Sequence, residues 1–432
     1  MEKVFLSFLG TNRYLPCHYY LNNNEYAENV NFVQEAMVKI FYKKYEKLDK
    51  VIIFLTKKAR QINWEPETKE PGLKGCLKDL NLPFKLIDVE IPEGKSSEEI
   101  WKIFEIVYNS LQDEDNVILD ITHGFRSLPM LGIVLLNYAR FLKRIKVLGI
   151  YYGAFEVLGT KDEIEKLPIN ERNAPIFDLT NFEKLQRWSI AAENFVDYGR
   201  TDKIYELVKE KIDPILKDTK GQDEIAQRER DIINNLKNVS NNLYTVRGKL
   251  TYEGNSFIEL KNIIRNIDTN ENISNPLKPL KEKILSKVLP FSTNDVLNGF
   301  RGVKWCIDHD LIQQGITLLQ ETIITYILEK SKLDWQVLNN RVAVSDAIKS
   351  INIDKIDDGF NVANEEIVQV LIQTIRKDET LFRLSKLFEK LRDYRNDINH
   401  GGYLKNARKP DKFKNKLLNI FNKVVETIPG IL

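Results

Sequence analysis

The chain is poor in the residues that make disulfides and metal sites. Its 432 residues include three cysteines, Cys17, Cys76 and Cys306, far apart and without a Cys-x-x-Cys pair. That usage fits a reducing, cytoplasmic setting and argues against a disulfide framework or a cysteine-based zinc site. There are four histidines, His18, His123, His309 and His400; His309 has no second His or Cys at ligand spacing and no ligand cluster is visible, so no metal is expected. No apolar run approaches the roughly 18 residues of a transmembrane helix, and the N-terminus lacks a signal-peptide pattern. Charge of one sign is lacking too: 64 Lys+Arg stand against 62 Asp+Glu, a net charge of +2. Any RNA contact must then come from a local basic groove rather than a general coat. Neither a G-x-G-x-x-G fingerprint nor a Walker A loop occurs, which argues against a dehydrogenase or a nucleoside triphosphatase. There is no internal repeat, no low-complexity segment and no sign of a stable partner protein or of membrane binding.

What is present is a change of pattern along the chain. Its length predicts two or three domains. Short apolar runs at 3–10, 50–56, 84–91, 116–122, 145–153 and 174–180 read as strands. Helical spacing at 26–48, 96–111 and 128–143 alternates with them, and Ser96 and Glu99 form a capping-box pair. This order predicts an α/β, Rossmann-like domain over 1–178, with an open parallel sheet and helices on both faces. Beyond it strand-like runs nearly vanish and an all-α region begins. We divide that region into a helical block, 179–290, and a second helical domain, 291–432, separated by a polar, proline-containing loop near 270–279. One helix is expected over 303–330, with Ile312, Ile316, Leu319, Ile323 and Ile327 on a stripe. Another carries Leu381, Leu384, Leu387, Leu391, Tyr394 and Ile398 at steps of three and four.

In an open parallel sheet, ligands bind outside the carboxyl ends of the strands. Three loops fall there. Gly10, Thr11, Asn12 and Arg13 follow the first strand. Thr56, Lys57, Lys58 and Ala59 follow the second. Thr122, His123, Gly124, Phe125, Arg126 and Ser127 follow the fourth and lead directly into a helix. Gly124 permits close backbone approach, Arg126 has the fork geometry for a phosphate, and a helix N-terminus offers free N–H groups. Simple capping by Thr122 and Ser127 is the structural alternative. His18 is read either as lining this pocket or as packing. His309, expected at the head of a helix, is read as a capping or interhelical hydrogen bonder.

The string ILDITHGFRSLP, together with the opening FLSFLGTN, resembles the ligand-sensing domain of type III CRISPR-associated accessory ribonucleases, which join a CARF domain to a helical HEPN domain. The resemblance is tight in these strings and extends by element order over the chain. It implies a homodimer, or a higher oligomer, binding a cyclic oligoadenylate across its two-fold face. Cyclic tetra-adenylate is the first choice of activator and cyclic hexa-adenylate the alternative, with no cofactor. The family's ligand residues map to Gly10, Thr11, Asn12, Thr56, Lys57 and the segment 122–127.

Near the C-terminus stands LRDYRNDINHGGY. Metal-independent RNA cleavage needs a proton carrier near the 2′-hydroxyl or the leaving 5′-oxygen, and a cation to stabilise the phosphorane. His400 and Arg395 are suited to those roles, with four residues between them. The string also matches the short form of the HEPN pattern R-x4–6-H. A five-residue helical step places two side chains about 140° apart, so convergence requires the helix to end, which Gly401-Gly402 suggests. Asn396, one turn before His400, is placed to orient it. The expected substrate is single-stranded RNA, leaving 2′,3′-cyclic phosphate and 5′-hydroxyl ends. The competing reading is a cyclic nucleotide-sensing regulator without nuclease activity, marked by a basic recognition helix. A third, left open, is that the sensor domain degrades its own ligand.

Overall fold

The computed structural model describes residues 1–67, 71–123, 127–266, 277–353, 365–403 and 405–431. They form two compact units, Met1–Gln186 and Arg187–Leu432. The first is built on eight strands: β1 (Lys3–Leu9), β2 (Cys17–Asn22), β3 (Glu25–Val30), β4 (Lys50–Leu55), β5 (Lys85–Glu90), β6 (Asn116–Asp120), β7 (Lys146–Gly153) and β8 (Asn173–Asp178). Their order across the sheet is β3-β2-β8-β7-β6-β1-β4-β5. β5, β4, β1, β6 and β7 are mutually parallel. β8 runs antiparallel to β7, β2 is parallel to β8, and β3 is antiparallel to β2.

Burial on both faces explains why the parallel strands are continuously apolar. In β1 the side chains alternate: Val4, Leu6 and Phe8 enter one core with Ile103, Val107, Leu135 and Ala139. Phe5 and Leu9 enter the other with Val33, Met37, Phe41 and Leu73. Helices Ser97–Asn109 and Ser127–Leu142 therefore cover one face, and Val33–Lys44 and Leu73–Asp79 the other.

The helix expected over 26–48 is shorter, at Val33–Lys44. The residues before it form β3, the second strand of a hairpin. Its turn is closed by the Asn22 side-chain oxygen, which accepts from the N–H groups of Asn24 and Glu25 at 2.9 Å each. Such Asx-type closure favours a turn over a helix. The sheet is consequently mixed at this edge rather than wholly parallel.

The second unit is helical. Among the described residues one core cluster includes residues from Ala191 to Ile431, joining both sides of position 290. The expected separation into 179–290 and 291–432 is thus a division within one packed body. Most of the expected polar break, 267–276, lies outside the described residues, and a helix resumes at Leu277. The helix expected over 303–330 is two, Leu297–Asp308 and Ile312–Lys330. Asp310 between them adopts φ 59°, a left-handed conformation that ends the first helix. Ile316, Leu319, Ile323 and Ile327 are fully buried, as the stripe predicts. Among the described residues no helix is long and apolar enough to cross a membrane.

The helix Glu379–Asn399 is held by Leu381, Leu384, Phe388 and Leu391, each at most 1% exposed. Phe388→Ala should destabilise the helical unit by about 3–5 kcal/mol, the usual cost of deleting a buried ring. This is read as a lower urea midpoint at unchanged slope. A loss below about 1 kcal/mol would show that this ring does not anchor the helix.

Candidate functional site

The winding of the first unit reverses at β1. After β1 the chain first lays the β2–β3 hairpin at the far edge, then adds β4 and β5 on one side of β1, and finally β6 and β7 on the other. The loops after β1 and β6 therefore leave adjacent strands in diverging directions, the arrangement that opens a ligand crevice in such sheets.

Three side chains bring the candidate loops together. Asn63, in a π-helical turn at Arg60–Trp64, donates from its amide to the carbonyls of Gly10 (2.8 Å) and Asn12 (2.9 Å). This ties the loop after β1 to the segment after β4. The Tyr14 hydroxyl accepts from the Gly10 N–H at 3.2 Å. Its ring meets that of His123 edge-on at 4.6 Å. A Cβ added to Gly10 would lie 3.4 Å from the Tyr14 hydroxyl and 3.6 Å from the His123 Cβ, ordinary van der Waals contact, so the packing around Gly10 is close without requiring glycine. Thr11, Asn12 and Arg13 are exposed around it.

Beneath the loops lies a buried carboxylate that sequence reasoning passed over. Asp120, at the end of β6, is fully buried. It accepts hydrogen bonds from the Ser7 hydroxyl in β1 (2.6 Å) and from the N–H (2.8 Å) and hydroxyl (2.5 Å) of Thr122. The Thr122 hydroxyl in turn accepts from Gly153 N–H at the end of β7, at 2.8 Å. Burial raises the Asp120 pKa, opposed by the bonds from Ser7 and Thr122. The one hydroxyl proton of Thr122 is thus committed to Asp120, and this residue positions the loop. An aspartate ending a run of buried strand residues was the available signal.

Thr56 caps the next turn, its oxygen accepting from Ala59 N–H at 3.2 Å. Lys57 projects into solvent, 84% exposed, with Glu90 4.0 Å away. Gly124, Phe125 and Arg126 lie outside the described residues, as does the Ser127 side chain; the helix itself begins at Ser127. His18 sits in β2, where its Nδ1 accepts from Asn29 N–H at 3.2 Å. His309 is 2% exposed and ends, rather than starts, a helix; it stacks on Trp305 at 4.8 Å, with Lys287 Nζ 3.0 Å from its Nε2. Both have packing or hydrogen-bonding roles. Among the described residues no group of three or more His, Cys, Asp or Glu is placed to hold a metal.

In the second unit, the helix Glu379–Asn399 stays regular to its last residue. Arg395 follows Leu391 and Phe388 by four and seven positions, so it lies on the core-facing stripe. It is half-buried, and its Nε is buried with no hydrogen-bond partner among the described residues. Among the described residues its guanidinium makes one weak polar contact, Nη1 donating to Asn396 Oδ1 at 3.4 Å, and no carboxylate pairs with it. An unpaired, partly desolvated guanidinium is costly and is the state expected of an anion-binding group. His400 caps the helix and is exposed. The step from Arg395 remains about 140°, so one chain does not bring the two side chains together. The Asn396 side chain turns to Arg395 rather than to His400. Asp397, also unanticipated, is 4% exposed and accepts from Arg408 through N–H (2.8 Å) and Nη1 (3.3 Å).

Residues 4–156, which include the loops of the first unit, match the family model described as CRISPR system endoribonuclease Csx1, CARF domain. A CRISPR-associated protein of Methanocaldococcus jannaschii is 26% identical over 273 residues, covering 61% of this chain and 37% of that relative. The chain's match spans little more than a third of that relative's length. Among solved structures, Enterococcus italicus Csm6 bound to cyclic hexa-2'-fluoro-hexa-dAMP aligns over 99% of this chain and 94% of that one, with 12% identity and a TM-score of 0.43.

Within the first unit, burial holds the His123 pKa down at about 4 against an ordinary 6.5. Between those values the unfolded chain takes up a proton that the folded ring refuses. Stability from this site is complete above about pH 6.5 and falls as the pH drops toward 4. His123→Phe should remove this part of the acid sensitivity. By NMR the His123 ring should remain neutral at about pH 5, between the two values. A ring titrating near its ordinary value in the unliganded protein would contradict the geometry.

Proposed function

We propose that this protein is a cyclic oligoadenylate-activated endoribonuclease of type III CRISPR defence, with a HEPN-type site at Arg395 and His400. The observation that carries the reading is the half-buried Arg395 guanidinium, left without a counter-charge among the described residues and followed at the helix end by the exposed His400. The family matched by residues 4–156 bears an endoribonuclease name, which agrees with it.

Cleavage begins when the ribose 2′-oxygen attacks the adjacent phosphorus. His400 takes the 2′-hydroxyl proton or delivers one to the departing 5′-oxygen, and Arg395 stabilises the charged phosphorane. The P–O5′ bond breaks as the P–O2′ bond forms, leaving a 2′,3′-cyclic phosphate and a 5′-hydroxyl. Because the two side chains diverge on one helix, the active unit is a homodimer in which two helix ends face each other and pool their groups. The activator binds the loops at 10–13, 56–58 and 122–127. A two-fold ring suits a two-fold face, and tetra-adenylate is the ring we expect, ahead of hexa-adenylate.

The test incubates labelled RNA with the protein and each cyclic oligoadenylate in turn, in chelator. Cleavage should occur with one ring size and give 5′-hydroxyl ends. His400→Ala should lower the rate by roughly two to four orders of magnitude, and Arg395→Ala should impair it severely. Both variants should keep activator binding. A 5′-phosphate product, or full activity in His400→Ala, would overturn the mechanism. An activator that binds but elicits no cleavage would favour a regulator.

The sensor half of the reading predicts that Lys57→Ala raises the activator concentration for half-maximal cleavage, through loss of an exposed cation from the crevice. The rate at saturating activator should change little. An unchanged activation curve would place the ligand elsewhere.

A further inference from the structure

The chain beyond His400 is built unlike a passive loop. Gly401 and Gly402 both adopt left-handed φ values, 65° and 70°. Their N–H groups return to the carbonyls of Ile398 and Asp397 at 3.2 Å each, which closes the helix end. The far end of the segment is fastened at Arg408, whose N–H and guanidinium are held by the buried Asp397 carboxylate. Between these two fastenings stands Tyr403, 96% exposed. Its N–H donates to the His400 carbonyl at 3.4 Å, so it rises directly beside the proposed proton carrier.

The segment that follows is basic. Lys405, Arg408, Lys409, Lys412, Lys414 and Lys416 occur within 405–416, against the one acid Asp411. Arg408 pairs with Asp397, Lys412 with Asp411 and Lys414 with Asp310. Lys416 lies over the Tyr394 ring at 5.0 Å. Lys405 and Lys409 are exposed and pair with no carboxylate among the described residues.

We propose that Tyr403 and the basic segment 405–416 form the single-stranded RNA-binding element of the helical unit. Tyr403 stacks on the base next to the scissile phosphate, and Lys405 and Lys409 follow the phosphates beyond it. An exposed ring beside uncompensated cations is the combination that holds single strands without reading their sequence. A duplex keeps its bases stacked internally and offers Tyr403 no free face, so the element selects single strands. This inference rests on the ribonuclease reading of Arg395 and His400.

The test uses the full-length protein carrying His400→Ala, so that RNA is bound but not cut, and a labelled single-stranded RNA about 12 nucleotides long, within the usual footprint of such elements. Adding Tyr403→Ala should weaken binding roughly 5- to 100-fold, the range for losing one stacked base, whereas Tyr403→Trp should restore it. Lys405→Ala with Lys409→Ala should weaken binding and reduce its salt dependence. In the otherwise unaltered enzyme, Tyr403→Ala should raise KM more than it lowers kcat. At 96% exposure the ring can be removed without leaving a cavity, so a folding defect is not expected. If the unaltered enzyme cleaves RNA while Tyr403→Ala keeps its affinity and KM, the stacking role falls and the ribonuclease reading stands. If no form binds or cleaves RNA with any activator present, the ribonuclease reading falls and this inference falls with it.

Discussion

A carboxylate sealed from solvent joins the strand ends from which the proposed ligand-binding loops leave. Asp120 ties β6 to β1 through Ser7, and Thr122 carries the connection on to β7 through Gly153. Each partner is itself satisfied, so the buried carboxyl group is tolerated and the network is rigid. The loops at 10–13 and 122–123 start from this fixed base. Asn63 and Tyr14 then fasten the first of them from the side. Loops with so fixed a base can present backbone groups and exposed side chains to a ligand with little further loss of entropy.

The helical unit follows a different logic. The periodicity that buries Leu384, Phe388 and Leu391 also carries Arg395 toward the core, where its Nε finds no partner among the described residues. His400, five residues on, faces solvent. One geometric fact, the 3.6-residue turn, therefore explains both the desolvated setting of the arginine and the need for a second copy to complete the proposed site. The glycines after His400 stop the helix and turn the chain toward the basic segment.

The parallel core of the sheet was legible in the sequence because buried parallel strands are short, apolar and β-branched. The hairpin of β2 and β3 was not: CHYYLN and EYAENV carry mixed polarity, and the second reads as the start of the helix that follows. Its signal was the run of asparagines at 22–24, whose side chain closes the turn. The loops at 10–13, 56–59 and 122–127 were singled out from position alone, whereas the groups that hold their described residues, Asp120, Asn63 and Tyr14, are joined only by the fold. The break at Asp310 was hidden because a left-handed residue other than glycine leaves little trace in composition. Arg395 and His400 were visible as a pair; their divergence followed from the helix remaining regular to Asn399.

If an anionic ring sits on the loops at the reversal of the sheet, it must shield their backbone. Hydrogen exchange with and without cyclic tetra-adenylate tests this most directly. Exchange should slow at the backbone amides of 10–13, 56–64 and 121–127 in the liganded protein. Binding without any protection of these amides, or with protection confined to the helical unit, would contradict it.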